Sequence, residues 1–170
     1  REEEGHTSEF LNTLPFGRGR IVAEKYFSMA ALILFFSLLC ILWEMAGFAL
    51  AGTDGFSEEF ARRCLLFPTA QLLMHLEVGS LCFLLSALCR KKQVGAALGF
   101  ALLLYVMDLM CRIVPDLEKL KYVTPYYFSN ATDIFTAGGI ETGPAGIGAL
   151  ATGAAAAAAF VVYRRRDLGA

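Results

Sequence analysis

The chain has 170 residues, 56% of them hydrophobic, and a formal net charge of −1 at pH 7. Soluble domains average roughly 45–50% apolar residues, so the excess argues against a soluble domain, and the charge offers nothing to attract nucleic acid. The excess falls in four blocks, each about 20 residues or longer, the length an α-helix needs to cross a bilayer. We therefore predict an all-α membrane protein with four transmembrane helices, at about residues 27–50, 65–89, 94–114 and 144–163.

The opening segment, residues 1–26, is polar, and within it residues 7–15 read TSEFLNTLP. This stretch combines a capping Thr or Ser and an acid with the apolar Phe10, Leu11 and Leu14, a pattern typical of a short amphipathic helix on a membrane surface. Its proline ends the helix. Two roles are open: a plain membrane-surface helix and a docking helix for a soluble partner.

The first apolar block is predicted to remain in the mature protein. A signal peptide would begin near the N-terminus and end in a small-residue cleavage pattern, whereas a long polar segment precedes this block and no such pattern follows it. Residue 1 is Arg instead of Met, so we expect that the chain was cut from a longer one and that its opening segment is an internal loop.

The positions of Lys and Arg predict the orientation of the helices. Cations cluster in residues 18–25, 90–92 and 164–166, which lie in alternate connections. Cytoplasmic loops carry an excess of Lys and Arg, so both termini are predicted to be cytoplasmic. Residues 115–143 then form an extracellular segment. It is longer than an ordinary loop and rich in aromatic residues, and we expect short helices on or in the outer leaflet.

Small residues recur every four positions on two of the predicted helices. Such faces allow close approach of two helix backbones. We favour packing within one bundle over a dimerisation face. The residues are Ala145, Ala149, Gly153 and Ala157 on the fourth helix, and Gly95 and Gly99 on the third.

Five ionisable residues lie within the predicted spanning helices, where each costs about 2.5–3.5 kcal/mol on insertion scales and is a candidate for function. They are Glu44, His75, Glu77, Asp108 and Arg112. At 1.5 Å per residue, Glu44, His75 and Asp108 lie roughly 22–24 Å from the cytoplasmic ends of their helices, and Glu77 lies at ~20 Å. Asp108 and Arg112 are spaced to form an ion pair, whereas Glu77 cannot share a helix face with His75.

Two interpretations of this layer stay open. The five groups could pair across the bundle and only fix helix register, or Glu44, His75 and Asp108 could line a polar path or outer gate for a substrate. A metal site from one His and two acids has no support from spacing, and the five cysteines form no CxxC pair. An intramembrane hydrolase would need a nucleophile with a base, and Ser80 near His75 is not a convincing pair.

The opening segment resembles the cytoplasmic connection between the second and third membrane helices of ABC-2-type transporter permeases. In that family the pattern E-R-E-x-G-T-x-E-x-L-x-x-L-P-x-x-R precedes a Lys, and here His6 is one extra residue. The stretches SALCRKK, KLKYVTPYYF and FVVYRRRDL also resemble the family, in the same order. The residues that match the opening pattern are Arg1, Glu2, Gly5, Thr7, Glu9, Leu11, Leu14, Pro15, Arg18 and Lys25.

The resemblance implies that the four helices are the third to sixth of a six-helix permease in a bacterial cell membrane. It also implies an exporter that works as a homodimer or heterodimer of permeases, with ATP and Mg bound by a separate ATP-binding cassette subunit. Residues 1–26 would be the cytoplasmic coupling segment and 27–170 the transmembrane domain. The residues implied to couple to the ATPase subunit are Glu9, Phe10, Leu11, Leu14, Pro15 and Arg18.

The sequence has no P-loop of the form G-x-x-x-x-G-K-[ST], because no Lys in it follows a Gly. We therefore expect a transporter subunit that is not itself an enzyme and binds no cofactor directly. The alternative is a four-helix membrane scaffold or assembly protein without transport activity. The transported substrate does not follow from the fold.

Overall fold

The computed structural model describes residues 18–50, 57–89 and 94–165. Its helices, in chain order, are α1 (Arg18–Leu50), α2 (Glu58–Leu88), α3 (Val94–Ile113), a 3₁₀ helix (Pro115–Tyr122), α4 (Ala131–Ala137) and α5 (Thr142–Arg165). These described ranges contain no β-strand. Four of the helices, α1, α2, α3 and α5, are long and apolar enough to cross a membrane. The predicted all-α membrane protein is confirmed.

The first two spanning helices begin earlier than the apolar blocks suggest. Helix α1 already includes residues 18–26, where an ion pair one turn apart joins Arg20 Nε to Glu24 Oε1 at 2.9 Å and where Val22 is buried. Helix α2 begins at Glu58, after a Ser57 hydroxyl that accepts a hydrogen bond from the amide of Phe60 at 3.2 Å. Capping and pairing extend both helices into polar sequence, which hydropathy does not detect.

Helix α2 is the central element, because it packs against all four of the other described α-helices. Its most extensive contact is with α5. The buried core joins Ala70 and Met74 of α2 to Phe128 and Ile134 of the segment between α3 and α5. The core therefore lies toward the end of the bundle that the segment between α3 and α5 covers.

Large apolar side chains cover much of the outer surface of the bundle. Leu32, Phe35 and Trp43 on α1 are 69%, 61% and 82% exposed. A soluble protein of this size does not expose apolar side chains so continuously. The lipid bilayer is the solvent that accommodates them.

The small residues predicted to pack inside the bundle mostly face outward. Helix α5 instead turns Gly148, Ala155 and Ala159 toward the rest of the chain. The described residues leave most of the two predicted faces uncovered, so packing of those faces within one bundle stays a prediction. The exposed members of those faces are Ala149, Gly153, Ala157, Gly95 and Gly99. In a helix with so many Gly and Ala residues, several faces are similarly small, so residue size alone cannot show which of them is buried.

The segment between α3 and α5 is fastened to α2 by side chains. Asn130 caps the start of α4, and Gly138, with a φ of 72°, ends it in the left-handed conformation. Arg62 of α2 donates to the carbonyl of Gly138 at 2.9 Å, and Arg63 donates to the carbonyl of Phe135. The two guanidinium groups thus satisfy the free carbonyls at the negative end of the α4 dipole.

The capping of α4 predicts different effects for two adjacent glycines. Gly138→Ala should lower the free energy of unfolding by about 1–2 kcal/mol, because a Cβ is strained in the left-handed conformation and would meet the Arg63 guanidinium. Gly139→Ala is the matched control, since a Cβ there meets nothing within 4 Å. Thermal unfolding in detergent compares the two variants, and equal midpoints would contradict this account of the cap.

Candidate functional site

Most of the residues implied to couple to an ATPase subunit lie outside the described residues. Arg18 is the first residue of α1, and its side chain is not described. The remaining five are Glu9, Phe10, Leu11, Leu14 and Pro15. Their role stays a prediction, and the structure bears on it only through what α1 touches.

The first turns of α1 rest on the last turns of α5. A Cβ added at Gly19 would lie 3.1 Å from Cζ of Phe160, so the absence of a side chain lets the two helices approach. Val22, one turn later, is buried. The ammonium of Lys25 lies 5.9 Å from the ring centroid of Tyr163, within cation–π distance. The start of α1 is therefore in direct contact with the end of α5.

Asp108 and Arg112 form the ion pair that their spacing predicts. Arg112 Nε lies 3.1 Å from Asp108 Oδ2, and the Asp108 side chain is buried. The same guanidinium reaches Asp133 Oδ2 of α4 at 2.6 Å and donates to the carbonyl of Tyr127 at 3.0 Å. The Tyr127 ring centroid lies 4.5 Å from Arg112 Cζ. Arg112 thus neutralises the buried acid of α3 and attaches the segment between α3 and α5 to that helix.

A second ion-pair cluster lies in the same segment. Lys121 Nζ of the 3₁₀ helix lies 3.0 Å from Glu141 Oε1, just before α5, and 3.1 Å from Glu118 Oε1. The hydrogen bond to Glu141, and after it the one to Glu118, raise the pKa of the Lys121 ammonium above its usual value. Burial raises the pKa of the neighbouring Tyr127 hydroxyl. The cluster keeps the start of α5 close to the 3₁₀ helix.

Glu44 and His75 lie along the contact between α1 and α2. Glu44 is half-buried and lies near the buried Cys64 of α2. The His75 ring meets Phe36 of α1 edge to face, with centroids 6.1 Å apart. In the part of the chain that the structure describes, the buried Nδ1 of His75 has no hydrogen-bond partner.

Glu77 lies on another side of α2, against α5. Its side chain is buried beside Gly148, where an added Cβ would overlap with the carboxylate and would lie 3.1 Å from the ring of Phe128. Because His75 contacts α1 and Glu77 contacts α5, the prediction that the two cannot share a face is confirmed.

The five intramembrane groups therefore occupy three separate contacts. Glu44 and His75 lie between α1 and α2, and Glu77 lies between α2 and α5. Asp108 and Arg112 lie between α3 and the segment that follows it. One chain does not assemble them into a single polar path, and the described ranges contain no group of three or more His, Cys, Asp or Glu residues that could hold a metal ion.

The sequence analysis missed three participants in these contacts. Asp133 and Tyr127 complete the surroundings of Arg112, and Gly148 makes room for Glu77. The order Asn, Ala, Thr, Asp at residues 130–133 is a helix-start signal that could have placed Asp133 in a first turn. No comparable signal singles out Gly148 among the many glycines and alanines of α5.

The family model described as ABC-2 family transporter protein matches residues 1–168. The chain belongs to the ABC-2 transporter family. Comparisons with curated proteins and with solved structures found no match. As an ABC-2 permease, the chain is a multi-pass membrane component of a transporter, and membership implies association with an ATP-binding cassette subunit.

The Arg112 network in this ABC-2 permease predicts unequal costs for its members. Arg112→Gln should lower the free energy of unfolding by about 3 kcal/mol, because it leaves the buried Asp108 without its partner. Asp133→Asn should cost less than about 1 kcal/mol, since that side chain is 51% exposed. Denaturant titration of the purified protein measures both, and equal costs would show that Arg112 does not act mainly through Asp108.

Proposed function

We propose that the chain is the membrane-spanning permease subunit of an ATP-driven exporter whose ATP is hydrolysed on a separate subunit. The observation that carries the proposal is the family match over residues 1–168. Four helices able to span a membrane and the lack of a P-loop sequence agree with it. In this proposal α1, α2, α3 and α5 correspond to the third to sixth helices of a six-helix permease, and both termini of the chain are cytoplasmic.

Coupling would start in residues 7–18, which we propose dock on the ATP-binding subunit. Residue 18 begins α1, so a movement of the docking segment would pass into that helix through continuous backbone. The close contact at Gly19 and Phe160 supports a further step, because the start of α1 cannot shift toward α5 without displacing it. Closed, packed interfaces of this kind transmit small displacements as rigid-body movements.

The substrate path would lie between two permease copies, which form a homodimer or a heterodimer. Of the five intramembrane groups, Glu44 and His75 are the better candidates to line it. Asp108 and Arg112 neutralise each other inside one chain, which favours a structural role for that pair. The described residues provide no hydrogen-bond partner for Nδ1 of His75, which supports a role other than a structural pair.

A membrane scaffold without transport activity is the rival function. It would use the same four helices but would have no need of an ATPase. A neighbouring reading frame that encodes a P-loop ATPase, followed by co-purification of its product with the permease, separates the two functions. Recovery of the permease without any ATPase, under conditions that preserve other membrane complexes, would favour the scaffold.

The coupling proposal predicts that Glu9→Lys or Leu11→Asp abolishes substrate stimulation of ATPase activity while membrane insertion is retained. The first reverses a charge and the second places a charge on the apolar side of the proposed docking helix. Glu58→Lys is the matched control, since it reverses an exposed charge at the start of α2. ATPase assays in reconstituted vesicles measure the effect, and unchanged stimulation in both test variants would reject the coupling role.

The proposed orientation predicts that residues 9 and 165 are labelled from the same side of the membrane and residue 119 from the opposite side. Glu9→Cys, Arg165→Cys and Lys119→Cys, each in a background without the native cysteines, allow labelling with an impermeant thiol reagent on intact and opened vesicles. Opposite sides for residues 9 and 165 would contradict four crossings between them.

A further inference from the structure

Glu77 is the intramembrane acid whose surroundings differ most from those of an ordinary carboxylate. The residue is 4% exposed, and its Oε2 receives no hydrogen bond from any described residue. None of the described charged side chains forms an ion pair with it. By contrast, Asp108, which is equally buried, has the guanidinium of Arg112 at 3.1 Å.

Helix α5 and the segment before α4 lie beside the Glu77 carboxyl, and neither offers it a charge. Helix α5 presents Gly148, and the sequence has no ionisable side chain from residue 142 to residue 162. The segment before α4 presents the ring of Phe128, and the flanking Tyr126 and Tyr127 are the titratable groups of that stretch. The rings of Tyr126 and Tyr127 pack against α3 instead, where they contact Tyr105 and Arg112 respectively.

The surroundings of the Glu77 carboxyl favour a proton over a metal ion. A metal ion needs several oxygen, nitrogen or sulfur donors, and the described residues hold no cluster of such side chains. An unpaired carboxylate in apolar surroundings is unstable by several kcal/mol, whereas the neutral acid avoids most of that penalty. A single proton therefore neutralises the Glu77 carboxylate, which the described residues leave unpaired.

We propose that Glu77 is a proton-binding site that links protonation to the contact between α2 and α5. While the two helices are packed, the carboxyl is in the acid form. When they separate and water enters, the O–H bond breaks, the proton passes to water, and Glu77 becomes a carboxylate. Repacking requires the proton again. This site goes beyond the proposed transport function, since it requires neither ATP nor a particular substrate.

Gly148 is the positioning residue in this arrangement. A Cβ there would overlap with the Glu77 carboxyl, so the carboxyl would have to shift. Gly148→Ala is therefore expected to expose the carboxyl and to remove the acid form at neutral pH. Gly146→Ala is the control on the same helix, because an added Cβ at Gly146 meets nothing within 4 Å.

Infrared spectroscopy of the full-length permease in lipid vesicles tests the proposal. The wild type should show the carbonyl band of an acid-form carboxyl at neutral pH, and the band should be lost in Glu77→Gln and in Gly148→Ala but kept in Gly146→Ala. A wild-type spectrum without the band contradicts the proposal whatever the variants do. Loss of the band in Glu44→Gln instead of Glu77→Gln would place the proton on another acid and overturn it.

The pH dependence of stability is a second, independent readout. If one proton leaves when α2 and α5 separate, the equilibrium constant for separation should rise by up to about tenfold per pH unit once the pH is high enough for the freed acid to ionise. Glu77→Gln, which carries no titratable proton, should remove this slope, and Glu58→Gln should retain it. An unchanged slope in Glu77→Gln overturns the proposal. Neither measurement needs the ATP-binding subunit, so the outcome is distinct from that of the transporter proposal.

Discussion

The bilayer interior offers no water to hydrogen-bond an exposed peptide group, so each spanning segment must satisfy its own backbone. This constraint makes α1, α2, α3 and α5 continuous helices. It also explains why the irregular stretch between α3 and α5 is held by side chains. Its carbonyls at Gly138, Phe135 and Tyr127 accept hydrogen bonds from arginines of α2 and α3.

In the same low-polarity surroundings, a buried charge must pair with a specific group, or it lowers the stability of the fold. Asp108 is stable because one guanidinium neutralises it and also holds the segment beside it. Glu77, without such a partner, depends on a proton in our proposal. In that proposal two acids at similar burial serve different purposes. Asp108 pairs with the guanidinium that holds the segment between α3 and α5, and Glu77 makes a helix contact sensitive to protonation.

Two contacts of α5 bear on the proposed coupling. At one end of α5, Phe160 and Tyr163 contact the start of α1, which follows the proposed docking segment. Nearer the other end, Gly148 packs against the side chain of Glu77 of α2. A rigid helix that contacts both sites would carry movement from the first to the second. In this view α5, composed mainly of Gly and Ala, serves as a close-packed link between the docking side and the buried acid.

Sequence alone determined the class of protein, because long apolar blocks follow from the physics of membrane insertion, which acts on local segments. The family came from the resemblance of its motifs to those of ABC-2 permeases, which the family match confirms. Sequence also determined the pairing of Asp108 with Arg112, since that contact lies within one helical turn. Only the tertiary structure decided which small face of α5 is buried, that Asp133 completes the Arg112 network, and that Glu77 is left without a partner. Those outcomes depend on how one helix is rotated against another, and residue patterns within a single helix carry no information about its neighbour.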